Sequence, residues 1–258
     1  MKNVLLIIQY DGTFFSGWQK QPGRRTVQGE IEKVLTKLCC QTIEINGTSR
    51  TDTGVHAYGQ AATFKGDYAI PVENIKKAAN NLLPEDIYIL SAEEVDDDFH
   101  ARFSSKGKTY EYKILYTKEK DIFSRNYYYN ICKELDIASM KKACGYFIGS
   151  HDFRAFMSSG SNITDTVREI YDLNISVKKK TASKEEIIIK VTGNGFLYNM
   201  VRIITGTLVE VGLKKIEPEE IMDIIESKNR NMAGHIAPAG GLYLKEIYFS
   251  DLQKGENI

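Results

Sequence analysis

Residues 108–116 read Lys108-Thr109-Tyr110-Glu111-Tyr112-Lys113-Ile114-Leu115-Tyr116. Tyr110, Tyr112, Ile114 and Tyr116 recur at every second position, which puts them on one face of an extended strand. This strand separates two similar series of elements. Upstream, residues 2–10 are apolar and suit a buried strand. Thr26 can cap a helix whose face is Val27, Ile31, Val34, Leu35 and Leu38. Residues 42–47 and 60–65 read as strands. Val72, Ile75, Ala78, Ala79, Leu82 and Leu83 form a second helical face stopped by Pro84, and Ile87 to Leu90 form a strand. The order is strand, helix, strand, strand, helix, strand. Downstream it recurs: a helix near 136–148, strands near 169–178 and 185–192, a helix over about 196–211, a short helix from Pro218 and a closing strand at 242–249. We expect an α+β fold of two ferredoxin-like βαββαβ-type halves, residues 1–105 and 106–258. They share a mostly antiparallel sheet with a central cleft.

Composition narrows the function. The 258 residues carry 42% apolar side chains and a formal charge of zero. No run reaches the length of a membrane span, and residues 1–9 lack the apolar core and cleavage site of a signal peptide. Cys39, Cys40, Cys132 and Cys144 form no C-x-x-C pair, which suits a reduced cytoplasmic protein. His56, His100, His151 and His235 lack metal-ligand spacing, so no metal site is expected. A zero net charge argues against an unspecific polyanion binder, although it can hide a basic cleft. Only nine of the 34 basic residues are arginine, and Arg50, Arg102, Arg154, Arg168 and Arg202 are five of them. A guanidinium fork suits phosphate and carboxylate.

The middle strand–strand connection of the first half reads Gly47-Thr48-Ser49-Arg50-Thr51-Asp52-Thr53-Gly54-Val55-His56-Ala57. A carboxylate two residues from a guanidinium stays ionised, and held on a rigid turn it can be a nucleophile. The same residues also suit a surface loop with a local Arg–Asp pair. The equivalent connection in the second half, Lys178 to Ser183, has no aspartate. Gly193-Asn194-Gly195 suggests a dinucleotide turn only weakly, because Tyr198 stands at the third glycine position. His151-Asp152 suggests an acid–base pair, but no serine or cysteine motif accompanies it.

Arg50-Thr51-Asp52 followed by Gly54-Val55-His56-Ala57 resembles the signature of the TruA family of tRNA pseudouridine synthases. Further blocks resemble that family in order. They include Tyr10-Asp11-Gly12-Thr13, Gly17-Trp18-Gln19, Phe99-His100-Ala101-Arg102-Phe103, Tyr110 with Tyr112, Gly149 to Phe153, Val201-Arg202 and Ala237-Pro238-Ala239. Ser49, Thr53, Lys108 and the segment 158–165 depart from the family's usual residues.

The resemblance implies isomerisation of uridine to pseudouridine in tRNA, at nucleotides 38, 39 and 40 of the anticodon stem-loop, with no cofactor and no metal. It makes Asp52 the nucleophile, Tyr110 the residue stacking on the extruded base and Arg202 the partner of the carboxylate. Arg50 enters the helical stack and helps expel the nucleotide. Phe99, His100, Ala101, Arg102, Phe103 and Arg168 are expected tRNA contacts, and the cleft is expected to bind RNA. A cytoplasmic homodimer, with one tRNA touching both subunits, is also implied. The alternative is a non-catalytic RNA-binding protein that has kept the cleft.

Overall fold

A computed structural model describes residues 1–160, 163–181 and 183–250. Parts of two segments singled out above, 158–165 and Lys178 to Ser183, and the last eight residues of the expected second half therefore lie outside the described residues. In chain order the strands are β1 (Lys2–Tyr10), β2 (Asn46–Gly47), β3 (His56–Gly66), β4 (Ile87–Val95), β5 (Gly107–Thr117), β6 (Tyr129–Ile131), β7 (Gly149–Asp152), β8 (Val167–Thr181), β9 (Lys184–Gly193) and β10 (Leu242–Tyr248). The α-helices are α1 (Val27–Cys39), α2 (Val72–Asn80), α3 (Ile137–Cys144), α4 (Met200–Gly212) and α5 (Glu220–Ser227). The protein is a mixed α+β fold in which antiparallel pairing predominates.

The chain forms two compact units. One comprises Met1–Lys106 together with the chain from Tyr243, and the other starts at Gly107 and runs to Leu242. In the first, β1 pairs antiparallel with both β3 and β4, and β2 pairs antiparallel with β3. This is the strand order of a ferredoxin-like unit. β10 adds a parallel pairing, Tyr243 opposite His56 and Leu244 opposite Ala57. Alternation along β1 buries Val4, Leu6 and Ile8 completely. Thr26 Oγ1 accepts from Gly29 N at 3.3 Å, so the expected cap starts α1. α1 packs on α2, and α2 lies against β4.

In the second unit β9 lies antiparallel between β5 and β8, and β7 extends the edge beyond β8, again antiparallel. The short β6 runs parallel to β5. α4 packs against α3 and β5. Every residue of α4 except Arg202 and Glu210 is buried, so it is the central helix of this unit.

Several expected boundaries differ. The strand read over 42–47 is paired only at Asn46–Gly47, because Ile43 N and Ile45 N bond Thr36 Oγ1 and Glu32 Oε1 of α1 rather than a neighbouring strand. The helix read from 196 begins at Met200, because Asn199 takes a left-handed conformation (φ 61°) that an α-helix cannot propagate through. Leu82, assigned to the buried face of the second helix, is exposed, since α2 stops at Asn80 and the chain turns.

Candidate active site

Two strands and a well-anchored turn present Asp52. Val55 N donates to Asp52 O at 3.1 Å, closing a turn over Thr53 and Gly54. Gly54 sits third in that turn with φ 78°, as a type II turn requires, so glycine belongs there. Thr51, one residue earlier, is buried and held from two sides. Its Oγ1 lies 2.7 Å from Tyr10 Oη at the end of β1, and its carbonyl accepts from Trp18 N at 3.0 Å. Gly17 has φ 85°, and a Cβ there would stand 2.7 Å from Thr51 O and 3.2 Å from Asp52 C. The 16–18 segment therefore packs backbone to backbone against the loop. On the other side Gln60 Nε2 donates to Ser49 O at 2.7 Å, and Thr48 N donates to Ala61 O at 2.9 Å. Against this support Asp52 is half-buried and Arg50 is exposed.

The 99–103 block belongs to the same unit and touches the same loop. Thr48 Oγ1 lies 3.1 Å from both Ala61 O and Ala101 O, and Ala101 is fully buried. Phe99 packs edge-on against Phe249, and its carbonyl accepts from Asn3 Nδ2 at 2.9 Å. Those two residues are anchors. Arg102 and Phe103 are exposed, Phe103 at 77%, and the His100 ring lies tilted against that of Phe103, 4.5 Å between centroids. The structure thus brings Arg50, Asp52 and residues 99–103 onto one scaffold, with two of the five buried or clamped and Arg102 and Phe103 facing solvent.

Tyr110, Arg168 and Arg202 belong to the second unit. Tyr110 on β5 is 7% exposed and meets Phe196 edge to face at 5.3 Å. Tyr112 is fully buried, and burial pushes its hydroxyl well above the ordinary tyrosine range. It stays a donor and bonds Pro238 O at 2.6 Å. Arg202 Nε donates to Ala237 O at 2.8 Å and Nη1 to Asn199 Oδ1 at 2.7 Å. Arg168 is half-buried at the start of β8 and donates to Asp165 O and Val167 O.

Asp152 and His151 do not form a dyad. Thr166 Oγ1 donates to Asp152 at 2.5 Å, Lys228 Nζ lies at 3.2 Å, and the His151 ring bonds Ile148 O. Burial raises the Asp152 carboxyl, but these bonds outweigh it and hold it below its ordinary range. Asp11 Oδ1 accepts from Thr13 N and Thr13 Oγ1, as a turn aspartate does. Among the described residues no group of three His, Cys, Asp or Glu side chains is gathered as a metal site. Among the described residues no helix is long and apolar enough to cross a membrane.

Three supports were not legible beforehand. Glu32 on α1 is 4% exposed and accepts from Lys20 Nζ, Gln28 Nε2 and Ile45 N, steadying the chain that enters the loop. Gly12 N donates to His56 Nδ1 at 3.1 Å, while His56 stacks on Tyr243 at 4.7 Å. Tyr10 secures Thr51. Tyr10 and His56 stand in blocks quoted above and Glu32 on an expected helix, but none of these signals names a partner.

The family described as tRNA pseudouridine synthase matches residues 6–104 and 143–250. A tRNA pseudouridine synthase A of Ruminiclostridium cellulolyticum is 49% identical over 249 residues, covering 96% of this chain and 100% of the relative. A tRNA pseudouridine synthase A 2 of Clostridium tetani is 50% identical over 251 residues, covering 96% and 99%. A third relative, from Acetivibrio thermocellus, is 48% identical over the same shares as the first. A matching chain in the crystal structure of a Cbf5-Nop10-Gar1 complex, at 12% identity and a TM-score of 0.31 over 80% of this chain and 54% of that one, adds nothing to the assignment. With half its residues shared with such relatives along nearly their whole length, and the Arg50-Thr51-Asp52 turn in place, the chain belongs to the TruA family of tRNA pseudouridine synthases.

Proposed function

We propose that the protein isomerises uridine to pseudouridine in tRNA, at nucleotides 38, 39 and 40 of the anticodon stem-loop, with Asp52 as nucleophile. The observation that carries the reading is the anchored turn under Asp52. Thr51 is fixed through both its hydroxyl and its carbonyl, and the next residue is the half-buried Asp52, two positions from a solvent-facing Arg50. The reaction breaks the bond from ribose to uracil N1 and rejoins the base through C5, so it needs an ionised carboxylate held still while the base turns.

In this reading Arg202 is the guanidinium that keeps the Asp52 carboxylate ionised and oriented. Tyr110 offers an aromatic face to the extruded base, and Arg50 helps expel it. Arg102, Phe103 and His100, with Arg168, contact the tRNA backbone and its unstacked bases, while Phe99 and Ala101 hold that block in shape. Residues 1–105 supply the nucleophile and residues 106–258 the platform and the arginine. We further propose a cytoplasmic homodimer. Four unpaired cysteines suit a reducing compartment.

The test is Asp52→Asn, which keeps size and most hydrogen bonds but removes the charge. Release of tritium from C5-labelled uridine in tRNA should cease, while tRNA affinity stays within a few fold. Substrates with a single uridine at each candidate position report the site. Appreciable turnover by the variant would overturn the nucleophile assignment.

A further inference from the structure

Asn199 stands immediately before α4 in the left-handed conformation, φ 61° and ψ 7°. Side chains at this position ordinarily accept from an N–H of the first helical turn. That of Asn199 does not. Its Oδ1 instead accepts from Arg202 Nη1 at 2.7 Å, and its Nδ2 donates to Ser158 Oγ at 3.0 Å. Ser158 is itself tied back, its N donating to Tyr198 O at 3.1 Å. The amide is thus oriented from both ends. The backbone of Asn199 still starts the helix, its carbonyl accepting from Ile203 N at 2.9 Å.

A left-handed residue is least strained as glycine, and asparagine is among the few others that adopt it readily. Glycine would serve the backbone alone. Asparagine adds an acceptor oxygen aimed at the guanidinium. Together with Ala237 O, which accepts from Nε at 2.8 Å, it fixes a planar group at two separated points and therefore fixes its plane. We propose that Asn199 is a positioning residue for the isomerisation, acting through Arg202, with Ser158 holding its amide in the required orientation. The proposal rests on the reading of Arg202 given above.

The experiment is a double-mutant cycle between Asn199→Gly and Arg202→Lys, read by single-turnover rate at saturating tRNA, tRNA affinity and thermal midpoint. Asn199→Gly keeps the backbone conformation and removes the amide, that is the acceptor for Arg202 and the donor to Ser158 that orients it. Its midpoint and affinity should stay near those of the parent, while the rate falls about ten- to a hundredfold, the scale of loss for a misplaced reacting group. In the Arg202→Lys background, which lacks the fork, the same change should cost little more. Asn199→Ala loses both the acceptor and the easy left-handed backbone, so its midpoint should fall as well. A full rate for Asn199→Gly beside a slow Arg202→Lys would overturn the proposal and leave the Arg202 reading intact. Additive losses would also overturn it, because Asn199 would then act by another route. A full rate for Arg202→Lys would instead overturn the Arg202 reading, and this proposal with it.

Discussion

Gly17→Ala tests whether the 16–18 segment holds the Asp52 loop in place. At φ 85° any Cβ carries left-handed strain, about 1–2 kcal/mol. Space is the second cost. The new methyl would stand 2.7 Å from Thr51 O, 3.2 Å from Asp52 C and 3.3 Å from Thr53 N, and all three are backbone atoms. Relief to ordinary contact demands a shift of roughly half an ångström or more, and overpacking of this kind costs about 1–3 kcal/mol. The sum is about 2–5 kcal/mol of stability. Because the displaced atoms flank the carboxylate, the rate should also fall, by about tenfold or more, given that about 1 Å of misplacement costs about a hundredfold. Gly23→Ala is the control. Its φ is 67° and a Cβ there meets nothing within 4 Å, so strain acts without a clash. Urea denaturation should show a loss of about 1–2 kcal/mol for Gly23→Ala, from strain alone, with single-turnover tritium release unchanged. If Gly17→Ala loses no more stability than Gly23→Ala and keeps the full rate at saturating tRNA, the loop is not held by this contact.

Tyr110→Phe keeps the ring against Phe196 and should leave stability within about 1 kcal/mol, in the range of a lost hydrogen bond. Turnover should fall with tRNA binding retained if the hydroxyl moves a proton at C5, and parental turnover would reduce Tyr110 to a packing and stacking residue. Tyr110→Ala is less informative, because this side chain is also core and its loss leaves a cavity. Arg50→Ala should slow the reaction at saturating tRNA, since unstacking a nucleotide costs a few kcal/mol that binding does not recover. Arg102→Ala should weaken affinity and flatten its salt dependence by about one unit of slope or less. A salt series under single-turnover conditions separates the two. A pure affinity loss for Arg50→Ala would leave it a backbone clamp.

Much of this protein is written locally. Alternation along Lys108–Tyr116 and the helical spacing of Val27, Ile31, Val34 and Leu35 depend on neighbours a few residues away, and those elements form as expected. Thr26 caps α1 for the same reason. The Arg50-Thr51-Asp52 motif and its glycine turn are likewise local, and they carried the family resemblance. What the sequence alone left open are interactions across long stretches of chain. Tyr10 bonds Thr51 over 41 residues, Thr48 bonds Ala101 over 53, and Asn3 bonds Phe99 over 96. No periodicity announces such pairs, because either partner could be satisfied by another group or by water. β10 takes β3 as a parallel neighbour although about 180 residues separate them, a pairing that the strand's own residues do not announce. Asn199 shows the same division at one position. Residue type allows a left-handed turn and Arg202 is only three residues away, yet only the folded chain brings Ser158, 41 residues distant, to the other end of the amide, and that long-range bond orients the amide toward its arginine.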